Sequence, residues 1–266
     1  MAITDIGAAH PAAGDRRRVA VAGPPPRLLR GAAAGMALGL AATLTVSLVF
    51  HGVGIVGLAG VLVALAVFAA VAAVALAGLP YHAHARFGAA NGVTTLRAVL
   101  TALCFSLLPG LDEVPALPRD LVSAGLSLAA LLALLLDGID GWLARRQSLA
   151  SPFGARFDME IDAALMLALA LFAYASGQAG LAVLAIGGMR YAYLAAQALV
   201  PKLKGELAPS LRRKAICAME VAILCLLVSP LIAPPLSGLL ALLASLVLAA
   251  SFARDIHTLL AAPLRP

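Results

Sequence analysis

The sequence predicts an all-α fold, a polytopic bundle of about eight membrane-spanning helices. Two observations support this prediction. Apolar residues make up 62% of the 266 residues and charged residues only 12%, whereas soluble domains are about half apolar and a quarter charged. Apolar runs of about 20 residues recur along the chain, and each is long enough to cross the hydrocarbon core of a bilayer. An ordinary soluble domain is therefore excluded.

The two ends of the chain differ from the apolar middle. Residues 1–30 are rich in Pro, Ala and Arg, a composition typical of a disordered tail. A cleaved signal peptide is not expected, because the following apolar run is far longer than an h-region of about 7–15 residues. Residues 255–266 are expected to form a short C-terminal tail.

Gly-, Pro- or charge-rich segments separate the predicted spans. Gly31, Gly35 and Gly39 repeat every four residues in the first span. This spacing either lets another helix approach closely or reflects the general tolerance of Gly in membrane helices. We expect spans over residues 31–50, 55–79, 92–109, 118–140, 157–177, 179–200, 213–231 and 235–254.

Basic residues predict the orientation of the spans. They concentrate in alternate loops, and Arg119 is alone on the opposite side. Positively charged loops remain in the cytoplasm, so we expect both termini and residues 137–162 to be cytoplasmic in a multi-pass protein of the cell (inner or plasma) membrane. The cytoplasmic cations are Arg16, Arg17, Arg18, Arg27, Arg30, Arg86, Arg145, Arg146, Arg156, Lys202, Lys204, Arg212, Arg213, Lys214, Arg254 and Arg265.

Four aspartates between the fourth and fifth spans form the strongest candidate site. Asp137 and Asp140 are three residues apart, and Asp158 and Asp162 are four apart, so each pair shares one helix face. The two helices are consecutive, so the pairs can converge. Carboxylates this close repel one another unless a cation neutralises them, and oxygen ligands select Mg²⁺, Mn²⁺ or Ca²⁺. Glu160 lies off this face and is not included.

Residues between the aspartates suit a phosphate-bearing substrate. Gly141 and Ala144 leave one helix face bare, so a ligand can lie against the backbone. Arg145 offers a planar donor fork to a phosphate or a base. Gly154 allows a close approach at the start of the fifth span. Mg²⁺ usually shares its ligand shell with substrate phosphates, which agrees with this interpretation.

These residues resemble the signature D-x2-D-G-x2-A-R-x8-G-x3-D-x3-D of the CDP-alcohol phosphatidyltransferase family, in its prokaryotic type, which includes phosphatidylglycerophosphate and phosphatidylinositol phosphate synthases. The segment NGVTTLR also resembles the family's N-x2-T-x2-R, with Ala90 in place of the usual preceding Pro. The resemblance implies a six-helix core over 80–254, preceded by two extra helices over 31–79. Its signature positions here are Asp137, Asp140, Gly141, Ala144, Arg145, Gly154, Asp158 and Asp162, with Asn91, Thr94 and Arg97 in the second segment.

The resemblance also implies a reaction, in which a phosphatidyl group passes from CDP-diacylglycerol to a small alcohol with release of CMP. Asp162 would be the catalytic base. Asp137, Asp140, Asp158 and Asp162 would hold Mg²⁺ or Mn²⁺. The residues that would seat CDP are Asn91, Thr94, Arg97, Gly141, Ala144, Arg145 and Gly154. Membrane lipid is a further expected partner, and nucleic acid is not expected to bind. A homodimer is compatible with this predicted function.

Three cations are candidates for binding the acceptor alcohol. Arg190 lies within the sixth span, and Arg213 and Lys214 begin the seventh. Fixed cations facing one pocket repel one another unless an anion lies between them, and Arg matches the geometry of a phosphate. We therefore expect a phosphorylated acceptor, such as glycerol 3-phosphate or an inositol phosphate, rather than serine or a neutral polyol. For Glu220, within the seventh span, we expect a nearby cation such as Arg213.

Two kinds of alternative remain open at this stage. Within the enzyme class, a CDP-linked small alcohol could be the donor and diacylglycerol the acceptor. A transporter or a noncatalytic scaffold is the alternative from another class. Transporters often have inverted repeats and charges near the middle of the membrane, whereas the aspartates here lie near one end of their predicted spans.

Overall fold

The computed structural model describes residues 23–111, 118–205 and 210–261, apart from the side chains of Arg119, Lys204 and Lys214. Within these residues the chain forms eight α-helices, two short 3-10 turns and no strand, which confirms the predicted all-α fold. The helices are α1 (Pro26–Gly52), α2 (Leu58–Gly78), α3 (Gly88–Ser106), α4 (Arg119–Arg146), α5 (Pro152–Ala175), α6 (Val183–Leu199), α7 (Leu211–Leu227) and α8 (Leu236–Ala261).

Four of the described helices are long and apolar enough to cross a membrane by length and composition alone. They are Pro26–Gly52, Leu58–Tyr81, Asp120–Arg146 and Leu236–Ala261. The other described helices are shorter or carry more polar residues, and α5 buries much of its apolar surface inside the bundle. The chain is therefore a helical membrane bundle, as predicted.

Each predicted span coincides with one helix, but the ends of the helices differ. Helix α4 continues to Arg146, beyond the predicted end at residue 140, because basic residues in a last turn interact favourably with the helix dipole. Helix α5 begins at Pro152, where the Ser151 side chain accepts a hydrogen bond from the Gly154 amide at 3.0 Å. The connection between the two aspartate pairs is therefore short.

The boundaries between the two tails and the helices also differ from the predicted ones. Helix α1 starts at Pro26, within the predicted tail 1–30, and residues 1–22 lie outside the described part. Helix α8 extends to Ala261, so most of the predicted C-terminal tail 255–266 is helical. Charged side chains near a span end do not stop a helix, since a helix can project beyond the bilayer.

Two buried apolar clusters hold the bundle together. One joins helices α3 to α8 around Leu165 and Leu169 of α5. The other joins the extra helices α1 and α2 to α3 and α5, and includes Phe68, Phe153 and Phe157. Helix α5 contributes to both clusters, so it is the element that connects the extra helices to the rest of the bundle.

The Gly repeat of α1 serves close packing. A β-carbon at Gly31 or Gly35 would lie 3.4 Å from the Phe87 side chain, and one at Gly39 would overlap the Phe68 ring at 2.3 Å. The small residues therefore let α1 approach two aromatic side chains, which is the first of the two explanations that the sequence left open.

Two neighbouring glycines of α6 provide a test of the helix packing. A β-carbon at Gly187 would lie 2.7 Å from the Cα of Leu167 and 3.0 Å from the carbonyl oxygen of Met166, whereas Gly188 faces open space. We expect Gly187→Ala to destabilise the bundle by about 1–3 kcal/mol, because the α5 backbone cannot move aside without separating two helices. Thermal unfolding in detergent measures this effect.

Gly188→Ala is the matched control. It should be neutral or slightly stabilising, since Ala is the better helix former by about 1 kcal/mol. Equal melting temperatures for the two variants would contradict the close contact between α5 and α6.

Candidate active site

The four aspartates converge on one guanidinium group, that of Arg97 in α3. Asp137 and Asp140 of α4 lie 3.2 and 2.8 Å from its nitrogens, and Asp158 and Asp162 of α5 also form ion pairs with it. The Arg97 side chain is only 1% exposed. The three helices that carry the motif residues therefore meet at a single point.

Three of the carboxylates are arranged as a metal site requires. Oxygen atoms of Asp137, Asp158 and Asp162 all lie within 4.8 Å of one another. Asp140 does not belong to this group, because its carboxylate is 5% exposed and accepts hydrogen bonds from Thr94 at 2.9 Å and Arg97 at 2.8 Å. Asp140 as a direct metal ligand stays a prediction.

The charges of the site fit a divalent cation. Four carboxylates surround one guanidinium, so ionised side chains would leave an excess of about three negative charges in a confined space. An oxygen-only donor set is the kind that Mg²⁺ and Mn²⁺ prefer. These residues can therefore hold a divalent ion.

Asn91, Thr94 and Arg97 lie three residues apart along the buried face of α3. Arg97 donates from Nε to the Ala133 carbonyl at 3.1 Å, which anchors its guanidinium against α4. The Asn91 amide donates to the Phe87 carbonyl. In this structure the segment therefore orients the carboxylates and the start of α3, and its predicted contact with CDP stays a prediction.

The glycines of the motif bring neighbouring groups together. A β-carbon at Gly154 would lie 3.3 Å from Asn91 Oδ1, so its absence lets α5 approach α3. A β-carbon at Gly141 would lie 3.4 Å from the Arg145 guanidinium, which folds back along α4. Ala144 is half-buried on the same helix. This arrangement leaves Arg145 exposed at the edge of the site.

A protein-family model described as CDP-alcohol phosphatidyltransferase matches residues 87–253. The chain belongs to the CDP-alcohol phosphatidyltransferase family. The match runs from α3 into α8 and leaves α1 and α2 outside. No curated protein and no solved structure matches the chain significantly. Membership makes the protein a transferase of substituted phosphate groups that acts in phospholipid synthesis, and the resemblance of its motifs is confirmed at the level of the family.

Two of the three predicted acceptor residues pair with carboxylates other than the four converging aspartates, which we call the aspartate quartet. Arg190 donates to Glu160, with Nη2 2.5 Å from Oε1 and Nε 3.4 Å from Oε2. Arg213 lies 3.7 Å from Asp255. The Lys214 side chain is outside the described part. Sequence reasoning missed the Glu160–Arg190 pair, although both residues fall within apolar helices, where a lone charge is costly.

Helix α7 carries a further buried carboxylate. It packs against α4 and α5, the two helices that carry the aspartates. Glu220 of α7 is fully buried, and neither of its oxygens has a hydrogen-bond partner in the described part of the chain. We expected a cation beside it, and the structure provides no hydrogen bond of that kind.

His82, in the link between α2 and α3, supports the start of α3. Its Nε2 lies 3.2 Å from Asn91 Nδ2, and its Nδ1 accepts from the His84 amide at 3.1 Å. Burial, followed by the nearby His84, lowers the pKa of His82. The sequence alone does not predict this contact with Asn91, because it depends on how the link between α2 and α3 folds back.

The lowered pKa predicts a pH-dependent stability. The folded protein binds a proton at His82 less readily than the unfolded chain, whose His pKa is about 6.5. The stabilising contribution is therefore complete above about pH 6.5 and is lost as the pH falls below that value. We expect the melting temperature of the wild type to decrease between about pH 6.5 and 5, and His82→Gln to reduce this slope.

The matched control is His257→Gln on α8, where the side chain is exposed. It should keep the wild-type slope. An unchanged slope in His82→Gln would show that other groups cause the acid sensitivity.

Proposed function

We propose that this enzyme transfers the phosphatidyl group from CDP-diacylglycerol to a small alcohol and releases CMP. The observation that supports the proposal is the convergence of four motif aspartates on Arg97 at one end of the bundle. In such a position one substrate can stay in the lipid layer while the other arrives from water. The family includes both directions of alcohol transfer, so the donor is part of the proposal.

The reaction replaces one phosphorus–oxygen bond with another. The acceptor hydroxyl attacks the phosphatidyl phosphorus, the bond to the CMP phosphate breaks, and the hydroxyl proton goes to a carboxylate. Asp162 is our candidate for that base, because it lies in α5 beside the carboxylates of the metal group. A divalent ion held chiefly by Asp137 and Asp158, which leaves the Asp162 carboxylate able to take the proton, would offset the charge on the leaving phosphate.

Arg97 has a positioning role in this scheme. Its guanidinium contacts a carboxylate on each of α4 and α5 and donates to the Ala133 carbonyl. These contacts fix the distance between the two aspartate pairs before substrate binds. Preorganised charges of this kind need no rearrangement during the reaction, which lowers the barrier.

We also propose, from the distribution of basic residues, that the site and both termini lie on the cytoplasmic side of the cell membrane.

The experiment that tests the proposed function is a comparison of donors. The purified full-length protein is incubated with Mg²⁺ or Mn²⁺ and one of two substrate pairs. The first is radioactive CDP-diacylglycerol plus glycerol 3-phosphate or an inositol phosphate, and the second is a labelled CDP-alcohol plus diacylglycerol. We expect CMP release with the first donor only, and we expect a chelator to abolish it. Turnover with the second donor alone would reverse the assigned direction.

The acceptor is proposed to be phosphorylated, and Arg190 provides the test. Losing a buried charged contact costs about 2–5 kcal/mol, so we expect Arg190→Ala to raise KM for glycerol 3-phosphate or an inositol phosphate at least about tenfold. The KM for CDP-diacylglycerol should change little. Steady-state kinetics with each substrate varied in turn measures this difference.

Glu160→Gln is the matched control, because it leaves Arg190 in place and removes the charge that now pairs with it. If Arg190 binds a phosphate, Glu160→Gln should keep or lower the acceptor KM. Equal losses in kcat for both variants, with both KM values unchanged, would mean that the pair only balances charge inside the bundle.

A further inference from the structure

A cavity of about 420 Å³ lies between the extra helix α2 and helix α5. Val74, Ala77 and Gly78 line it on one side, and Phe153 and Phe157 line it on the other. Its volume falls within the range of about 300–1,000 Å³ that is typical of small-molecule sites. The cavity exists only because α2 packs on the core, and α2 lies outside the residues that match the family.

The cavity is separate from the aspartate quartet. Successive residues of a helix are about 100° apart, so Arg156 and Asp158, two residues apart, point about 160° away from each other. Phe153, Phe157 and Glu160 lie on the same side of α5 as Arg156 and line the cavity with it. A ligand in this cavity therefore does not touch the face of α5 that carries the aspartates, and among the residues that line the cavity only Glu160 pairs with the proposed acceptor residue Arg190.

The wall of the cavity suits a hydrocarbon chain. The rings of Phe153 and Phe157 stack with centroids 5.8 Å apart and are almost completely buried. A β-carbon at Gly78 would lie 3.2 Å from the Phe153 ring, so a larger residue would narrow the space. Apolar surface of this kind favours an acyl chain over a polar ligand.

The rim of the cavity suits a phosphate. The Arg156 side chain is exposed and forms no ion pair with any described residue, whereas the rim carboxylate of Glu160 is already paired with Arg190. Tyr81 adds an exposed ring at the same rim, as is common at the boundary between lipid tails and headgroups. The free charge at the rim is therefore positive, and Arg binds phosphate oxygens with two parallel donors.

We propose that this cavity binds a glycerophospholipid of the surrounding bilayer, with its phosphodiester on Arg156 and one acyl chain between α2 and α5. The bound lipid is a resident molecule and not the substrate, because it lies on the other face of α5 from the aspartates. It links the two extra helices to the catalytic core at the end of the bundle where the reaction takes place. The inference does not depend on which CDP-linked donor the enzyme uses.

Photo-labelling of the purified full-length protein tests the proposal. The probe is a phosphatidylglycerol that carries a diazirine on one acyl chain, in mixed detergent micelles, and labelled peptides are identified by mass spectrometry. We expect labels on the peptides of α2 and α5 that line the cavity. Arg156→Gln should reduce this labelling about tenfold, the loss that a charge-assisted contact gives, and Val74→Trp should reduce it similarly by filling the space.

Two matched controls separate the cavity from the general lipid surface. Leu62→Trp changes an exposed apolar residue of the same helix, and Arg254→Gln removes an exposed cation on α8. Both should keep wild-type labelling. Arg156 is exposed, so its variant should fold even if Val74→Trp does not, and size-exclusion profiles verify this.

Three results would overturn the proposal. The first is equal labelling of wild type and Arg156→Gln at the cavity peptides. The second is equal labelling by a diazirine diacylglycerol, which lacks the phosphate. The third is displacement of the label by low concentrations of CDP-diacylglycerol but not by excess phosphatidylglycerol, which would make the cavity part of the substrate site. Labelling is read without turnover, so failure of the proposed reaction would not affect this result.

Discussion

Asp162→Asn is expected to reduce turnover by about 10²–10⁴-fold, the usual contribution of a general base, with little loss of CDP-diacylglycerol binding. A base acts on the proton that moves in the transition state, so its removal affects kcat more than ground-state binding. The change keeps the size of the side chain, and the amide oxygen can still accept from Arg97. Initial rates of CMP release and equilibrium binding of the labelled nucleotide lipid measure the two effects separately.

Asp120→Asn is the control for this experiment. Asp120 lies in the first turn of the same α4 that carries Asp137 and Asp140, at the opposite end of the bundle, and is exposed. Its variant should keep full activity. If nucleotide binding falls in step with the rate in Asp162→Asn, Asp162 acts mainly as a metal ligand and the proton goes elsewhere.

Arg97→Leu is expected to have the largest effect on the folded protein. It leaves four carboxylates around an apolar side chain, and removing one partner of a buried ion pair costs about 3–5 kcal/mol. For a chain of this size the melting temperature should fall by the order of 10 °C. Thermal unfolding of the detergent-solubilised protein, followed by circular dichroism, measures the loss.

The comparison with Arg97→Lys and with added Mg²⁺ identifies the cause. Arg97→Lys keeps one positive charge but cannot reach several carboxylates with a planar fork, so it should recover part of the stability. Mg²⁺ should raise the melting temperature of Arg97→Leu more than that of the wild type, because the ion then supplies the missing positive charge. Identical losses for Leu and Lys, insensitive to Mg²⁺, would show that packing and not charge is decisive.

Local patterns were sufficient to predict that the aspartates meet. Spacings of three and four residues place Asp137 with Asp140, and Asp158 with Asp162, on single helix faces, and a short connection makes the two helices neighbours. The apolar runs likewise predicted each helix of the bundle. The errors concern helix ends, such as the extension of α4 to Arg146, because hydropathy reports the bilayer boundary and not the end of the hydrogen-bonded helix.

The sequence by itself determined the membrane class, the family and the candidate site residues, since these follow from composition, period and motif. Only the tertiary structure decided which groups those side chains contact. Arg97 is the centre of the quartet, Glu160 pairs with Arg190, and α2 leaves a cavity against α5. The physical reason is that helical periodicity determines which face a residue occupies, while the partner of that face depends on how helices distant in sequence pack.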